Sequence, residues 1–282
     1  MPRIALLTDS TAYLSQEMIT QYDIQVAHLK LYWKGETYLD GVDLTPDTFY
    51  GRLEHETELP TTSQPSILDF VQMYDRLAQD HDAIIVPLIS SGISGTVASA
   101  QAAAEQFTQI PVEVVDTHTT STGLALVVLA AARAAEAGKS FEEVREIVWT
   151  IVHNIKTFFV VDTLKYLHLG GRIGGASRYL GSALNIKPIL YFDDEGKIDA
   201  LERVRTRHKA LDRLVELAKE TANGKPAHIG LIHASAPDRI ELVDKKVRDN
   251  IDCVEVVTLS LSPVIGTHVG PGAIGVAVYT EA

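Results

Sequence analysis

The sequence predicts an α/β protein with largely parallel sheets, and three observations support this fold class. Short apolar runs typical of strands alternate along the chain with longer stretches of helical periodicity. The length of 282 residues is typical of one large domain or, more often, of two. Hydrophobic residues make up 46% of the chain and charged residues 22%, a composition that allows a substantial core.

Strands are predicted where short apolar runs are bounded by polar residues or turn formers. In chain order these runs cover residues 4–8, 26–33, 83–88, 112–115, 158–161, 188–192, 198–205, 228–233, 253–261 and 273–279.

Helices are predicted where apolar residues recur with the helical period. In chain order these segments cover residues 15–22, 46–54, 67–79, 96–106, 122–137, 141–154, 208–223 and 237–250. Thr45-Pro46 provides an N-cap with proline at the first helical position, and Ser140 with Glu143 fits a capping box. Asn223-Gly224 is a helix stop.

The best domain division lies near Ile155, after a pair of predicted helices. It separates an N-terminal domain, residues 1–155, from a C-terminal domain, residues 156–282. No repeat or proline-rich linker marks a different boundary.

Charge and composition exclude several protein classes. The formal net charge of −12 argues against nucleic acid as the main partner, because a phosphate backbone needs a cationic face. Cys253 is the only cysteine, so no disulfide framework or thiolate metal cluster is expected. The N-terminus turns polar too early for a signal peptide, and the longest apolar run, residues 123–132, is too short to span a bilayer. We therefore expect a cytoplasmic protein in which that run forms a buried helix.

The most informative motif is Gly266-Thr267-His268-Val269-Gly270-Pro271-Gly272, which places one imidazole among glycines. Glycines allow tight turns and a close approach of the backbone to a ligand, so we expect a loop here. Two hydroxyl-rich loops could meet it, at residues 60–66 and 90–96. Together these three segments predict a pocket for an oxyanion.

Each polar loop also has an ordinary structural interpretation. Asp9 and Ser10 follow the first strand, where open α/β sheets bind ligands, but they could equally satisfy turn amides. The hydroxyls at residues 61–66 fit turn chemistry beside proline. The loop at residues 90–96 is the stronger candidate, because it joins a strand to the N-terminus of a helix.

Two basic features stand out in this acidic chain. Arg172 lies among glycines and is expected to be an exposed cation on a loop, and residues 203–209 form a second basic cluster. A solvated surface is the usual explanation of such clusters, and an anionic ligand or a docking surface is the alternative. The run Gly170 to Gly175 lacks the placement of a dinucleotide-binding loop.

His268 has three possible roles: a general base, an oxyanion donor, or a brace for its own loop. A serine or histidine hydrolase or acyltransferase acting on a lipid-like substrate would need Ser94 or Ser10 activated by His268 and oriented by a carboxylate. The residue types are present, but no nucleophile elbow presents a serine.

Taken together, the motifs resemble the DegV family of fatty-acid-binding proteins, whose characterised members are substrate-carrying subunits of bacterial fatty acid kinases. The segments that carry the resemblance run almost end to end: residues 9–12, 61–66, 90–96, 115–117, 162–167, 170–173, 185–190, 204–206 and 266–272.

The resemblance implies a two-domain α/β fold, with a three-layer N-terminal domain on a parallel sheet and a smaller C-terminal domain that contributes to a buried acyl-chain pocket. It implies a lipid-binding protein without catalytic activity of its own and with no cofactor. The implied partners are a long-chain fatty acid and an ATP-binding kinase subunit, with transient contact to a membrane surface as a further possibility.

The resemblance also assigns roles to residues. Thr62, Ser63, Ser94 and His268 would hold the carboxylate, and Arg172 and Arg205 would present the ligand to the kinase. The supporting loop residues are Asp9, Ser10, Ser91, Gly92, Gly95, Thr267 and Gly270. His168-Leu169 and Val97 depart from the family pattern, and these departures concern partner docking rather than the carboxylate site.

Overall fold

A central apolar helix, α5 (Ser121–Glu136), lies between two sheets and is buried along nearly its whole length. In the computed structural model, which describes residues 3–53, 55–181 and 186–281, α5 packs against both sheets. This helix contains the longest apolar run of the sequence, and its burial between two sheets explains why no polar face is needed.

The bounds of the other elements follow in chain order. The strands are β1 (Ile4–Asp9), β2 (Gln25–Ala27), β3 (Lys30–Trp33), β4 (Glu36–Leu39), β5 (Thr61–Ser63), β6 (Ala83–Leu88), β7 (Val112–Asp116), β8 (Lys156–Val160), β9 (Lys187–Phe192), β10 (Ile198–Val204), β11 (Ala227–His233), β12 (Cys253–Ser260) and β13 (Ile274–Thr280). The helices are α1 (Gln16–Gln21), α2 (Pro46–Leu53), α3 (Ile67–Leu77), α4 (Thr96–Ala104), α6 (Phe141–Asn154), α7 (Lys165–Leu169), α8 (Arg207–Ala222), α9 (Pro237–Asn250) and α10 (Pro263–Val269).

The first sheet is parallel, with strand order β2-β1-β6-β7. Side chains alternate across it: Ala5 and Leu7 of β1 pack with α3 and α4, whereas Leu6 faces α5 and α6. The predicted three-layer arrangement with a parallel sheet is therefore confirmed, and so is the α/β class.

The second sheet has six strands in the order β10-β9-β8-β13-β11-β12, and α8 and α9 cover its outer face. Only β11 and β12 pair in parallel, while the other neighbours are antiparallel. The expectation of largely parallel sheets is wrong here. Alternating strands and helices do not report strand direction, and β9 returns directly into β10 through a hairpin.

A small antiparallel sheet, β4-β3-β5, departs from the sequence prediction in three places. The sequence predicts no strand at β4 (Glu36–Leu39). Residues 26–33, predicted as one strand, form β2 and β3, because the Ser10 hydroxyl accepts the Leu29 N–H between them. Residues 61–63, predicted as part of a loop, form the edge strand β5, in which Thr62 pairs with Leu31.

A further departure concerns the histidine motif. Residues 263–269 form α10 rather than a loop, and the helix ends at Gly270, whose φ of 73° lies in the region that favours glycine. The predicted domain boundary near Ile155 coincides with the start of β8 and stays a prediction. The predicted helix end at Glu54 and the motif residue Asn185 lie outside the described residues.

Candidate functional site

A pocket of about 920 Å³, a volume that includes open solvent at its mouth, lies where the two halves of the chain meet. Most of its wall is apolar and comprises Leu29, Ile89, Ile93, Phe159, Leu167, Phe192, Ile198, Ile232, Leu261, Val264, Ile265, Val269, Ala273 and Ile274. Its polar wall residues are Thr62, Ser63, Gln64, Ser94, Thr120, Ser121, Thr122, Thr157, Arg172 and His268.

Thr62 and His268 form the central hydrogen bond of this site. The Thr62 Oγ1 and His268 Nε2 atoms are 2.8 Å apart, and both residues line the pocket. Burial, with a smaller contribution from the nearby Arg172 guanidinium, lowers the pKa of His268 to about 4. The imidazole is therefore neutral at neutral pH and carries a single N–H.

The position of that proton follows from the second ring nitrogen. His268 Nδ1 is buried without a hydrogen-bond partner, and it faces Gly170 so closely that a methyl group added there would overlap it. A proton on Nδ1 would point at a C–H group with no acceptor, so the Nε2–H form is favoured. Nε2 then donates to Thr62 Oγ1, and the Thr62 hydroxyl is left to donate into the pocket.

Helix α10 holds His268 in place through a well-defined N-terminus. Ser262 caps the helix by accepting from the Ile265 N–H, and Pro263 occupies the first turn. The buried Asp40 carboxyl accepts from the Val264 N–H at 3.2 Å and from the Ser10 hydroxyl at 2.8 Å. Burial raises the pKa of Asp40 to about 7.

Two further predicted carboxylate ligands also line the pocket. Ser94 Oγ lies 2.9 Å from Thr96 Oγ1 in the turn before α4, and the Thr96 N–H donates to it at 3.4 Å. Ser63 donates to the Tyr32 hydroxyl at 3.2 Å. Thr62, Ser63, Ser94 and His268 are thus brought to one pocket from three elements, β5, the β6–α4 loop and α10.

The two predicted arginines have different environments. Arg172 is not an exposed cation: it is half-buried and lines the pocket, because its Nε donates to Ile93 O at 3.1 Å and its Nη1 to Gly170 O at 2.7 Å. These backbone carbonyls draw the side chain inward, which its glycine-rich neighbours did not reveal. Arg205 is exposed, just beyond β10, and does not line the pocket.

Asp9 and Ser10 support the site from outside it. Asp9 is fully buried and accepts from the Ile89 N–H at 2.7 Å and from the Thr11 N–H at 2.9 Å. Burial raises the pKa of its carboxyl. Ser10 links Asp40 to the Leu29 N–H. Both side chains thus accept hydrogen bonds from nearby backbone N–H groups, and their supporting role for a ligand stays a prediction.

The remaining supporting residues shape the loops around the pocket. Gly92 lies against the backbone of Gly196 in the β9–β10 turn, and Gly95 lies against the Gln64 amide. Thr267 donates to Pro263 O within α10, and Gly270 leaves room for the Tyr166 ring. The exposed Ser91 does not line the pocket.

A Ser–His–carboxylate triad is not assembled in the described part of the chain. His268 pairs with Thr62, and its Nδ1 meets no carboxylate that could orient it. Ser10 is bound to Asp40, and Ser94 to Thr96. Neither Ser10 nor Ser94 is therefore positioned by His268 as the nucleophile of such a triad.

Sequence reasoning missed several residues of the site. Nothing in the sequence marked Asp40 as part of the site, because a single aspartate before a turn is common in proteins of every function. Thr120 and Ser121 lie at the start of α5, in a polar run that follows β7. The position of this run after the end of a parallel strand is the only signal that could have identified it. Helix α10 had a readable signal in Ser262-Pro263 and Gly270, an N-cap, a first-turn proline and a C-terminal glycine.

Among the described residues, no group of three or more His, Cys, Asp or Glu side chains could hold a metal ion. No helix in residues 3–53, 55–181 and 186–281 is long and apolar enough to cross a membrane.

Comparison with known proteins gives consistent matches over the whole chain. A family model described as "Uncharacterised protein, DegV family" matches residues 3–281. Protein DegV of Bacillus subtilis is 36% identical over 275 residues, which cover 97% of this chain and 98% of that protein.

Solved structures match equally well. A DegV family protein from Thermus thermophilus, described by its fatty acid binding, has a TM-score of 0.94 and 33% identity over 99% of this chain and 100% of its own. A crystal structure of DegV from Bacillus subtilis, described as a fatty acid binding protein, has a TM-score of 0.91 and 35% identity over 100% of both chains.

Proposed function

The chain belongs to the DegV family, and we propose that it binds a long-chain fatty acid in the pocket between its two halves. In this proposal Thr62, Ser63, Ser94 and His268 hold the carboxylate, and the acyl chain fills the apolar part of the pocket. The observation that carries the proposal is the Thr62–His268 hydrogen bond on the wall of an otherwise mostly apolar pocket. The fatty acid binding described for the Thermus and Bacillus relatives supports it.

The energetics of the two ends of a fatty acid fit this division. Burial of an acyl chain stabilises the complex by roughly 0.8 kcal/mol per methylene, so the tail supplies most of the affinity. A buried carboxylate is costly unless donors meet it. The Thr62 hydroxyl, oriented by neutral His268, and the Ser94 hydroxyl are such donors. They hold the head group without a tight ion pair.

The same geometry supports a carrier rather than an enzyme. In our proposal a partner ATP-binding kinase subunit phosphorylates the carboxylate, with Arg172 and Arg205 assisting the transfer. Arginine suits this role because its planar fork donates two hydrogen bonds to a phosphate at once. Arg172 already lines the pocket beside His268, whereas exposed Arg205 is available to a partner surface. A cytoplasmic location follows from this role.

The binding proposal is tested by comparing two ligands that share one chain. We expect stearic acid to displace a fluorescent fatty acid probe from the protein, and stearyl alcohol to displace it at least about tenfold less well, because the alcohol lacks the charge-assisted hydrogen bonds of a carboxylate. Equal displacement by both ligands would contradict a carboxylate site. If neither ligand displaces a bound probe, the pocket assignment is contradicted.

A further inference from the structure

The N-terminus of α5 opens onto the pocket without a cap. Thr120 is the N-cap residue, and its side chain makes no capping hydrogen bond. The first N–H groups of a helix have no acceptor within the helix, and the helix dipole gives this end a partial positive charge. Thr120, Ser121 and Thr122 all line the pocket. This helix end therefore presents donors at the pocket wall.

Two hydroxyls at this helix end have no partner. Thr120 is 7% exposed and Ser121 is 5% exposed, and neither hydroxyl oxygen has a hydrogen-bond partner in the described structure. Neighbouring Thr119 and Thr157 behave differently, since their hydroxyls pair at 2.9 Å. A buried hydroxyl without a partner destabilises a protein, so two side by side on a pocket wall point to a ligand atom that satisfies them.

The backbone at this point is also unusual. Ser121 has a φ of 57°, a left-handed conformation that is uncommon for residues other than glycine. Such conformations concentrate at ligand sites, where the surrounding structure holds them in place.

We propose that Thr120 and Ser121, which we call the α5 subsite, bind an oxygen atom carried on the acyl chain, so that hydroxy fatty acids are preferred ligands. This inference rests on the proposed function, which assigns the carboxylate to Thr62, Ser63, Ser94 and His268 on other elements. A ligand hydroxyl can accept from a helix N–H and donate to a serine or threonine oxygen. A plain methylene at the same point leaves these groups unsatisfied. In this proposal a change of rotamer, a rotation of about 120° about χ1, turns a buried hydroxyl towards the ligand.

The test compares stearic acid with a set of monohydroxystearic acids that carry the hydroxyl at different carbons. Each is titrated into the wild-type protein by competition with a fluorescent fatty acid probe. We expect one positional isomer to bind about tenfold more tightly than stearic acid, because it satisfies the buried hydroxyls. If stearic acid binds and no isomer binds more tightly, the α5 subsite is wrong while the proposed function stands. If no acid binds at all, the proposed function itself fails.

Two variants test whether the preference for a hydroxy fatty acid depends on the α5 subsite. Thr120→Val and Ser121→Ala should each reduce the preference for the hydroxy acid, measured as the ratio of its affinity to that of stearic acid in the same variant. Thr221→Val, whose hydroxyl bonds to Leu217 O on α8, is the matched control and should keep the preference. An equal loss of affinity for both ligands would place the carboxylate itself at α5 and overturn the inference. The wild-type comparison decides the matter even if a variant fails to fold.

Discussion

Thr62 on the edge strand β5 and His268 on α10 are 206 positions apart in the chain, and their side chains meet at 2.8 Å. This hydrogen bond joins an N-terminal sheet to a C-terminal helix at the wall of the pocket. Neutral His268 donates to the threonine, so the threonine hydroxyl is free to donate to a ligand. The contact links the two halves of the chain, and in the proposed function it leaves a donor for the carboxylate.

Removal of the two proposed head-group donors should weaken fatty acid binding. Each deletion leaves a carboxylate oxygen short of a hydrogen bond, a loss on the order of 1–3 kcal/mol. Thr62→Val and Ser94→Ala should therefore each reduce affinity about tenfold or more, as measured by isothermal titration with stearic acid. Thr221→Val on α8 is the control for the chemical change. Unchanged affinity in the double variant would reject the assignment.

The His268 imidazole should titrate with a pKa below its ordinary value. The ordinary value is 6.5, and the folded value is about 4, so between these values the unfolded chain holds a proton that the folded protein lacks. Stability contributed by His268 is therefore fully present above about pH 6.5 and declines as pH falls towards 4.

Nitrogen NMR of histidine-labelled protein checks both the charge and the proton position. We expect the His268 ring to stay neutral at pH 6, with the hydrogen on Nε2. A titration midpoint near the ordinary value, or a hydrogen on Nδ1, would contradict the proposed orientation of Thr62.

The contribution of Asp40 to the free energy of unfolding should change with pH in the opposite direction to that of His268. Its folded pKa of about 7 exceeds the ordinary value of 3.8, so the folded protein keeps a proton that the unfolded chain loses in this window. The stability contributed by Asp40 therefore falls as pH rises from about 4 to 7, by at most about 1.4 kcal/mol per pH unit.

Asp40→Asn removes that titration while keeping an oxygen for the Val264 N–H. Urea unfolding of this variant at several pH values should show a flatter loss of stability towards neutral pH than the wild-type protein shows. Parallel curves for the two proteins would mean that Asp40 is ionised in both states.

Substitution of Arg172 and Arg205 should distinguish fatty acid binding from presentation of the fatty acid to the kinase subunit. Arg205→Ala should keep stearic acid binding and reduce ATP-dependent acyl phosphate formation with a cognate kinase subunit. Arg172→Ala should reduce acyl phosphate formation more than it reduces binding, because the proposed function assigns the carboxylate to other side chains and the phosphate to the arginines. Both quantities are measured on the same preparations. Acyl phosphate made without a partner would overturn the carrier proposal.

Local signals in the sequence predicted most elements and the main site residues. The capping box of Ser140 and Glu143 forms as expected, and the polar segments around Thr62 and Ser94 do reach one pocket with His268. Strand direction in the second sheet could not be predicted, because pairing depends on long-range packing. The inward turn of Arg172 depends on Ile93 O, 79 positions away in the chain, which no local pattern reports.

The most direct test of the account is native mass spectrometry of the purified protein, followed by organic extraction and identification of the released lipid. Apolar cavities are poorly tolerated when empty, so the protein should carry a fatty acid from its expression host. We predict a mass increase equal to one long-chain fatty acid and about one equivalent of that acid in the extract. Protein repeatedly recovered without lipid, and unable to bind added fatty acid, would contradict the central claim.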